Sequence, residues 1–483
     1  MDKRIPPFAS RLQDRKGGRF TGLKGDRKLN SQQPPIAAFS PFRVNNVRSF
    51  IAFRVFFNCR FYYPVFTVLF LDFGLSVAQF SILNAVWAAT IVLAEVPSGA
   101  LADIVGRKRL LVFAACSMLV EMVILCVAPQ GNTALLFAFV LVNRVLSGLA
   151  EAAASGADEA IAYDALQDRG MADQWGRVLD IQMRLRSVMF ILTMTVGAAV
   201  YDPDLLTRIA AWCGWGRSFT QSETLRLPIY LTLVLAVFTL AATLRLDEVR
   251  HSAAIGKNET PASRASVLEA FKLTLDSGKW ILKTPFVLTV ILFGMLFDGI
   301  LRMVITLASQ YYRMVALPES TYGLLGSVMA VAGLFIPRLS RWIAENRSPA
   351  ACLWTTAATA LAGLSGMAFF WPIVGLLPAL VAFSALYMAG FYISYFINRH
   401  TSSSRRATVL SFKGMASNLF YGAIGILYAG LLEIKKASLD SLGGSAQAAE
   451  NVVFQDTFFW FPLALAVGTA VMTAGVTLRS RNR

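Results

Sequence analysis

The densest chemistry in this sequence lies at five positions of one apolar run. Arg144, Gly148, Glu151, Ser155 and Asp158 recur at steps of three and four within FVLVNRVLSGLAEAAASGADEAIAYDAL. A helix therefore puts them on one face. Ionisable groups in such a setting pair with one another, bind a charged solute or carry a proton. A buried carboxylate can take up and release a proton near neutral pH, so Glu151 and Asp158 are candidates for proton coupling, as are Glu95 and Glu121 in two other apolar runs. A structural pairing of Arg144 with Glu151 or Glu121 is the alternative.

Three more faces combine polar and aromatic groups. Arg54, Asn58 and Tyr62 share one, Asp298 and Arg302 stand four apart, and Ser384, Tyr387, Phe391 and Tyr395 share another. Aromatic walls with a few polar groups suit an amphipathic organic solute. Arg54 and Arg144 would add affinity for an anionic one. An intrahelical ion pair is the plainer account of Asp298 and Arg302.

The elements that must position these residues are membrane spans. The chain has 483 residues, 56% hydrophobic and only 15% charged, with a mean hydropathy of +0.55. Soluble domains carry about 25% charged residues. Apolar runs of about 20 residues match the bilayer core, and they recur here at 48–71, 79–101, 110–128, 134–162, 178–200 and 228–246, then at 285–309, 320–343, 350–370, 374–398, 408–432 and 453–478. The fold class is an all-α membrane protein with twelve spans in two sets of six. The first span is the weakest, because Arg54 and Arg60 interrupt it.

Residues 1–46 read as a basic, disordered tail, 47–246 and 284–478 as two six-helix bundles, 247–283 as a polar linker and 479–483 as a basic end. Six plus six around a basic loop is the outline of a duplicated transporter. The internal repeat is faint, since VPSGALADIVGRK at 96–108 corresponds to IPRLSRWIAENRS at 336–348 in position only.

Charge sets orientation. One side collects the tail, Arg107, Lys108, Arg109, Arg169, the linker, Arg338, Arg341, Arg347, Arg399, Arg405, Arg406 and the last arginines. The positive-inside rule makes that side cytoplasmic, with both termini there. The opposite side includes the connection from Tyr201 to Leu227, where Trp212, Trp215 and Phe219 read as interface anchors.

Several functions are excluded. The net charge of +16 is spread through the tail and short connections, so there is no folded basic face for nucleic acid. Five cysteines without a CxxC spacing and two histidines give no expected metal site or cofactor. No nucleotide-binding loop or catalytic nucleophile constellation stands out, which argues against an ATP-driven pump or a membrane enzyme.

The connection between spans two and three reads EVPSGALADIVGRKRLL. Gly99 suits close packing at a helix end, Gly106 suits the reversal, and Arg107 and Lys108 hold the turn inside. Topology does not require Asp103. Gly99-x-x-x-Asp103-x-x-Gly106-Arg107-Lys108 resembles the signature of the major facilitator superfamily, and Glu95-x-Pro97-Ser98-Gly99 is similar to its bacterial members. The resemblance runs from Phe50 to Leu478.

That resemblance implies a secondary transporter working by alternating access as a monomer in the lipid bilayer. Its partners would be a small-molecule substrate and a proton. Asp103 would be held by Arg107 and by the start of helix eleven near Ala407 or Thr408, making a conformational latch. Helices one, four, seven and ten would line the cavity. Arg144 with Gly148 resembles the helix-four motif whose arginine is linked to proton transfer. One departure stands out: helix five reads MFILTMTVGAAVYD, with Gly197 but without the proline of drug–proton antiporters. Proton-coupled efflux is the expectation; uptake of an anionic metabolite, or a transport-inactive receptor of the same fold, are the alternatives.

Overall fold

Lipid offers no partner to backbone N–H and C=O groups, so a spanning chain must satisfy them within its own helices. The computed structural model describes residues 40–131, 133–155, 157–248, 272, 278–400, 403–439 and 446–481, and among these it contains helices and no strand. The tail up to residue 39 and most of the linker lie outside the described residues.

Eleven of the described helices are long and apolar enough to cross a membrane. The protein is a multi-pass, all-α membrane protein. Leu93, Leu427 and Ile434 are each more than 70% exposed. Such apolar surface would be a liability in water and is expected against lipid.

The first expected span accounts for the difference from twelve. It is divided into Asn45–Asn58 and Phe66–Phe73, with residues 59–62 irregular and a 3-10 turn at Tyr63–Val65. Pro64 explains the interruption: it has no N–H, and in a continuous helix its ring would meet the carbonyl of residue 60. The freed backbone finds other partners. The Phe61 amide donates to Thr232 Oγ1 at 3.0 Å, and the Tyr63 amide to Arg60 O at 3.3 Å. The fourth span is likewise divided into Thr133–Ala154 and Ala157–Gln167, the seventh into Pro285–Thr306 and Ala308–Met314, and the twelfth into Ala446–Phe458 and Trp460–Arg481.

The remaining spans are Val77–Val105, Arg107–Cys126, Trp175–Tyr201, Leu227–Leu244, Tyr322–Asn346, Pro349–Met367, Leu376–His400 and Ser403–Leu439. Span two outruns its expected end, which leaves Gly99 inside the helix rather than at its terminus. Gly106 makes the reversal alone, at φ +101°. Span eleven starts at Ser403, ahead of the expected Ala407 or Thr408.

Spans two, three and four pack together, with six against one and three. Span seven packs on ten, eleven and twelve, and ten on eight and nine. The two sets meet along the pairs two–eleven and five–eight. Small residues make these approaches possible. A Cβ on Gly323 would lie 2.0 Å from Met194 O in the five–eight contact, and one on Gly425 would lie 3.1 Å from Ser81 O in the two–eleven contact.

The tightest approach is at Gly197, where a Cβ would fall 1.7 Å from Phe61 O in the break of span one. Gly197→Ala must push span five off that carbonyl. The expected result is a loss of roughly 1–3 kcal/mol, read as a lower unfolding midpoint of the purified protein; an unchanged midpoint would show that the break moves freely.

Candidate functional site

A cavity of about 310 Å³ lies where the two sets of spans face each other. Span one contributes Arg54 and Asn58 to its wall, span two Trp87, Ile91 and Glu95, span four Glu151, Ser155 and Asp158, span seven Arg302, and span eleven Asn418. Seven of the residues singled out in the sequence thus come together: Arg54, Asn58, Glu95, Glu151, Ser155, Asp158 and Arg302.

The two arginines of the cavity are already engaged. Arg54 Nε lies 2.5 Å from Asp158 Oδ2, and its Nη2 reaches Glu159 Oε1 at 2.8 Å. Asp158 and Glu159 stand in the first turn of Ala157–Gln167, where the helix dipole favours negative charge. Arg302 Nη2 is 3.3 Å from Asp298. The same guanidinium donates to Asn418 Oδ1 at 2.9 Å and to Ser417 O at 3.1 Å, and it sits 4.3 Å from the centre of the Tyr421 ring.

The two glutamates are not engaged. Among the described residues, neither Glu95 nor Glu151 has a side-chain hydrogen-bond or ion-pair partner, and Glu95 Oε2 is buried without one. Glu151 is open to the cavity although it lies deep in the protein.

Other expected site residues lie elsewhere. Glu121 is fully buried and pairs with Arg60, whose Nη1 also donates to Tyr62 Oη at 2.7 Å. Tyr62 therefore belongs to the break in span one and does not share a face with Arg54 and Asn58. Arg144 is buried, donates to Asn143 Oδ1 at 2.7 and 3.0 Å, and stands 5.3 Å from the ring centres of both Phe66 and Phe70. Its alternative pairing with Glu151 or Glu121 is not present.

Tyr387 lines a second cavity of about 240 Å³ with Tyr63, Phe66, Tyr312 and Tyr322 among its aromatic residues. Phe391 and Tyr395 stack at 5.8 Å and line neither cavity. Trp87 and Asn418 were not singled out from the sequence. An asparagine inside an apolar run was a usable signal for Asn418; nothing marked Trp87.

At the turn between spans two and three, Arg107 pairs with Asp164 of span four. The Lys108 amide donates to Glu248 Oε2 at 3.2 Å. A Cβ on Gly106 would lie 2.9 Å from that same oxygen, the end of a flexible side chain, so it is the positive φ that demands glycine here. The side chain of Asp103 lies outside the described residues, as does Gly99 beyond its helical backbone.

The opposite end of the molecule joins the two sets of spans through charge. Arg313 Nη1 and Nη2 each lie 2.7 Å from an Asp72 carboxylate oxygen, and the same guanidinium bonds Glu319 at 2.5 and 3.1 Å. Tyr201 Oη donates to Asp72 at 2.5 Å, and the Thr67 amide donates to Ser309 Oγ at 2.9 Å. Asp202 accepts from the Leu205 and Ser320 amides at 3.0 and 3.1 Å. Burial opposes ionisation of Asp202, but these hydrogen bonds outweigh it and hold the carboxyl below the ordinary carboxylate range.

Two packed sets of spans around a charged cavity, bridged at one end, define a membrane carrier by architecture. The chain belongs to the Major Facilitator Superfamily, whose family model matches residues 49–426. Solved structures share the fold at low identity. A mutant of the nucleoside transporter NupG aligns at a TM-score of 0.66 and 13% identity, over 90% of this chain and 99% of that one. A bacterial homologue of the human lysosomal transporter Spinster, inward-facing and occupied, aligns at 0.63 and 16%, over 92% and 98%. A D-xylose–proton symporter aligns at 0.58 and 14%, over 87% and 96%. No curated protein matches the sequence.

Proposed function

We propose that this protein is a proton-coupled secondary transporter that exports a small organic solute by alternating access, as a monomer in the bacterial inner membrane with both termini cytoplasmic. The observation that carries the reading is the pair of unpartnered carboxylates, Glu95 and Glu151, in a cavity walled by both sets of spans. A carboxylate without a partner in a membrane interior is costly and marks a proton or solute path. Arg54 and Arg60 from span one and Glu121 from span three are the charged groups acting on Glu151. Proton coupling in the related D-xylose symporter supports the reading by analogy.

The Asp72–Arg313–Glu319 contacts at the expected outer end support a conformation closed outward and poised to release inward. The anionic-uptake alternative loses support, because Arg54 is held by two carboxylates and Arg144 lies outside the cavity. A transport-inactive receptor has little use for the two uncompensated glutamates.

Flux in proteoliposomes tests the proposal. Glu151→Gln is expected to abolish the response of transport to an imposed pH gradient, while Glu95→Gln weakens it. Wild-type flux indifferent to the gradient would sink proton coupling and leave facilitated transport.

A further inference from the structure

Charge bookkeeping in the central cavity goes further than the carrier reading, on which this inference rests for its site. Each arginine on the wall already has a carboxylate: Arg54 has Asp158 and Glu159, and Arg302 has Asp298. Arg302 is further tied by Asn418 and the face of Tyr421. The uncompensated charge facing the cavity is therefore negative, and it resides on Glu95 and Glu151.

Their surroundings add shape to that charge. Trp87, Ile91 and Glu95 follow one another at four-residue intervals along span two, and all three line the cavity. An indole and an aliphatic side chain thus lead along one helix face to a free carboxylate. Span four, packed against span two, brings Glu151 to the same space. Aromatic faces attract cations, quaternary ammonium groups included. Among the described residues of the lining, an anion entering here would meet two free carboxylates and only guanidiniums that already hold carboxylates.

We infer that the cavity takes an organic cation, a protonated or quaternary amine with an apolar body, whose charge is held by Glu95 and Glu151 and whose body lies along Trp87 and Ile91. A cation of this class offsets part of the negative charge left on the wall. Trp87 and Asn58 then set orientation, and Arg302 with Asn418 closes the opposite wall.

Binding to the purified protein tests this without any need for flux. Benzyltrimethylammonium serves as the cationic probe and 3-phenylpropanoate as an anion of similar size and ring content. The cation is expected to raise the unfolding midpoint of the wild type and to bind with saturation; the anion is expected to do neither. Glu95→Gln and Glu151→Gln, both near-isosteric, are each expected to weaken the cation roughly tenfold or more, the scale of a lost desolvated charge contact.

Binding of the anion in preference to the cation would overturn the inference, and so would cation affinity untouched by both substitutions. The wild-type comparison of the two probes decides the matter even if a variant is unstable. Cation binding without transport in liposomes would count against the carrier reading while leaving this inference standing. Transport confined to anions would do the reverse.

Discussion

Arg313→Ala is expected to open the end of the molecule where Asp72, Tyr201 and Glu319 now converge. From the second half of span seven, the guanidinium reaches the second half of span one and the turn that starts span eight. Its removal leaves Asp72 and Glu319 facing each other as uncompensated like charges, with Tyr201 still donating to Asp72. Breaking a fully buried pair costs roughly 3–5 kcal/mol. Arg313 is 30% exposed, so about 2 kcal/mol is a better expectation, or roughly 30-fold in the balance between closed and open states. A cysteine placed at Ser309, which is 4% exposed, reads the change. Its labelling by a membrane-impermeant maleimide should rise in the Arg313→Ala background. Equal labelling in both backgrounds would show that the ion pairs are incidental to closure.

Glu121→Ala is expected to cost stability first and coupling only through it. Glu121 and Arg60 are both buried, and each retains an atom without a partner, Glu121 Oε2 and Arg60 Nε. With the carboxylate gone, Arg60 is left as an uncompensated charge in the break of span one, at a cost of roughly 3–5 kcal/mol. The unfolding midpoint of the detergent-solubilised protein should fall sharply. Replacing both partners with apolar residues, Arg60→Met with Glu121→Leu, should restore most of the loss, because a buried pair contributes little over a packed apolar one. A Glu121→Ala variant that is stable but blind to a pH gradient would instead return Glu121 to the proton path.

The two predictions separate residues that were equivalent in the sequence. Glu95, Glu121 and Glu151 were all acids within apolar runs. Glu121 meets Arg60 only because Pro64 interrupts span one and turns that arginine inward. Among the described residues Glu95 and Glu151 have no side-chain hydrogen-bond or ion-pair partner, because spans two and four direct them into a cavity. Arg54 and Arg144 diverge in the same way: the first finds Asp158 across the cavity wall, and the second is stored against Phe66 and Phe70.

Span positions were legible because hydropathy is a local property with the length scale of the bilayer. The GxxxD-x-x-GRK turn was legible because Gly106 must adopt a φ that other residues avoid. Ion pairs across distant spans were not. Asp72 with Arg313, and Arg107 with Asp164, are more than 50 positions apart. No periodicity links residues at that separation.

The sequence by itself determined that this protein is a bundle of membrane helices with polar faces turned inward, since only that arrangement satisfies both lipid and backbone. The tertiary structure alone decided which of the buried charges are neutralised and which are left open to a solute. Neutralisation depends on distances of a few ångströms between helices, and the packing of the halves sets those distances.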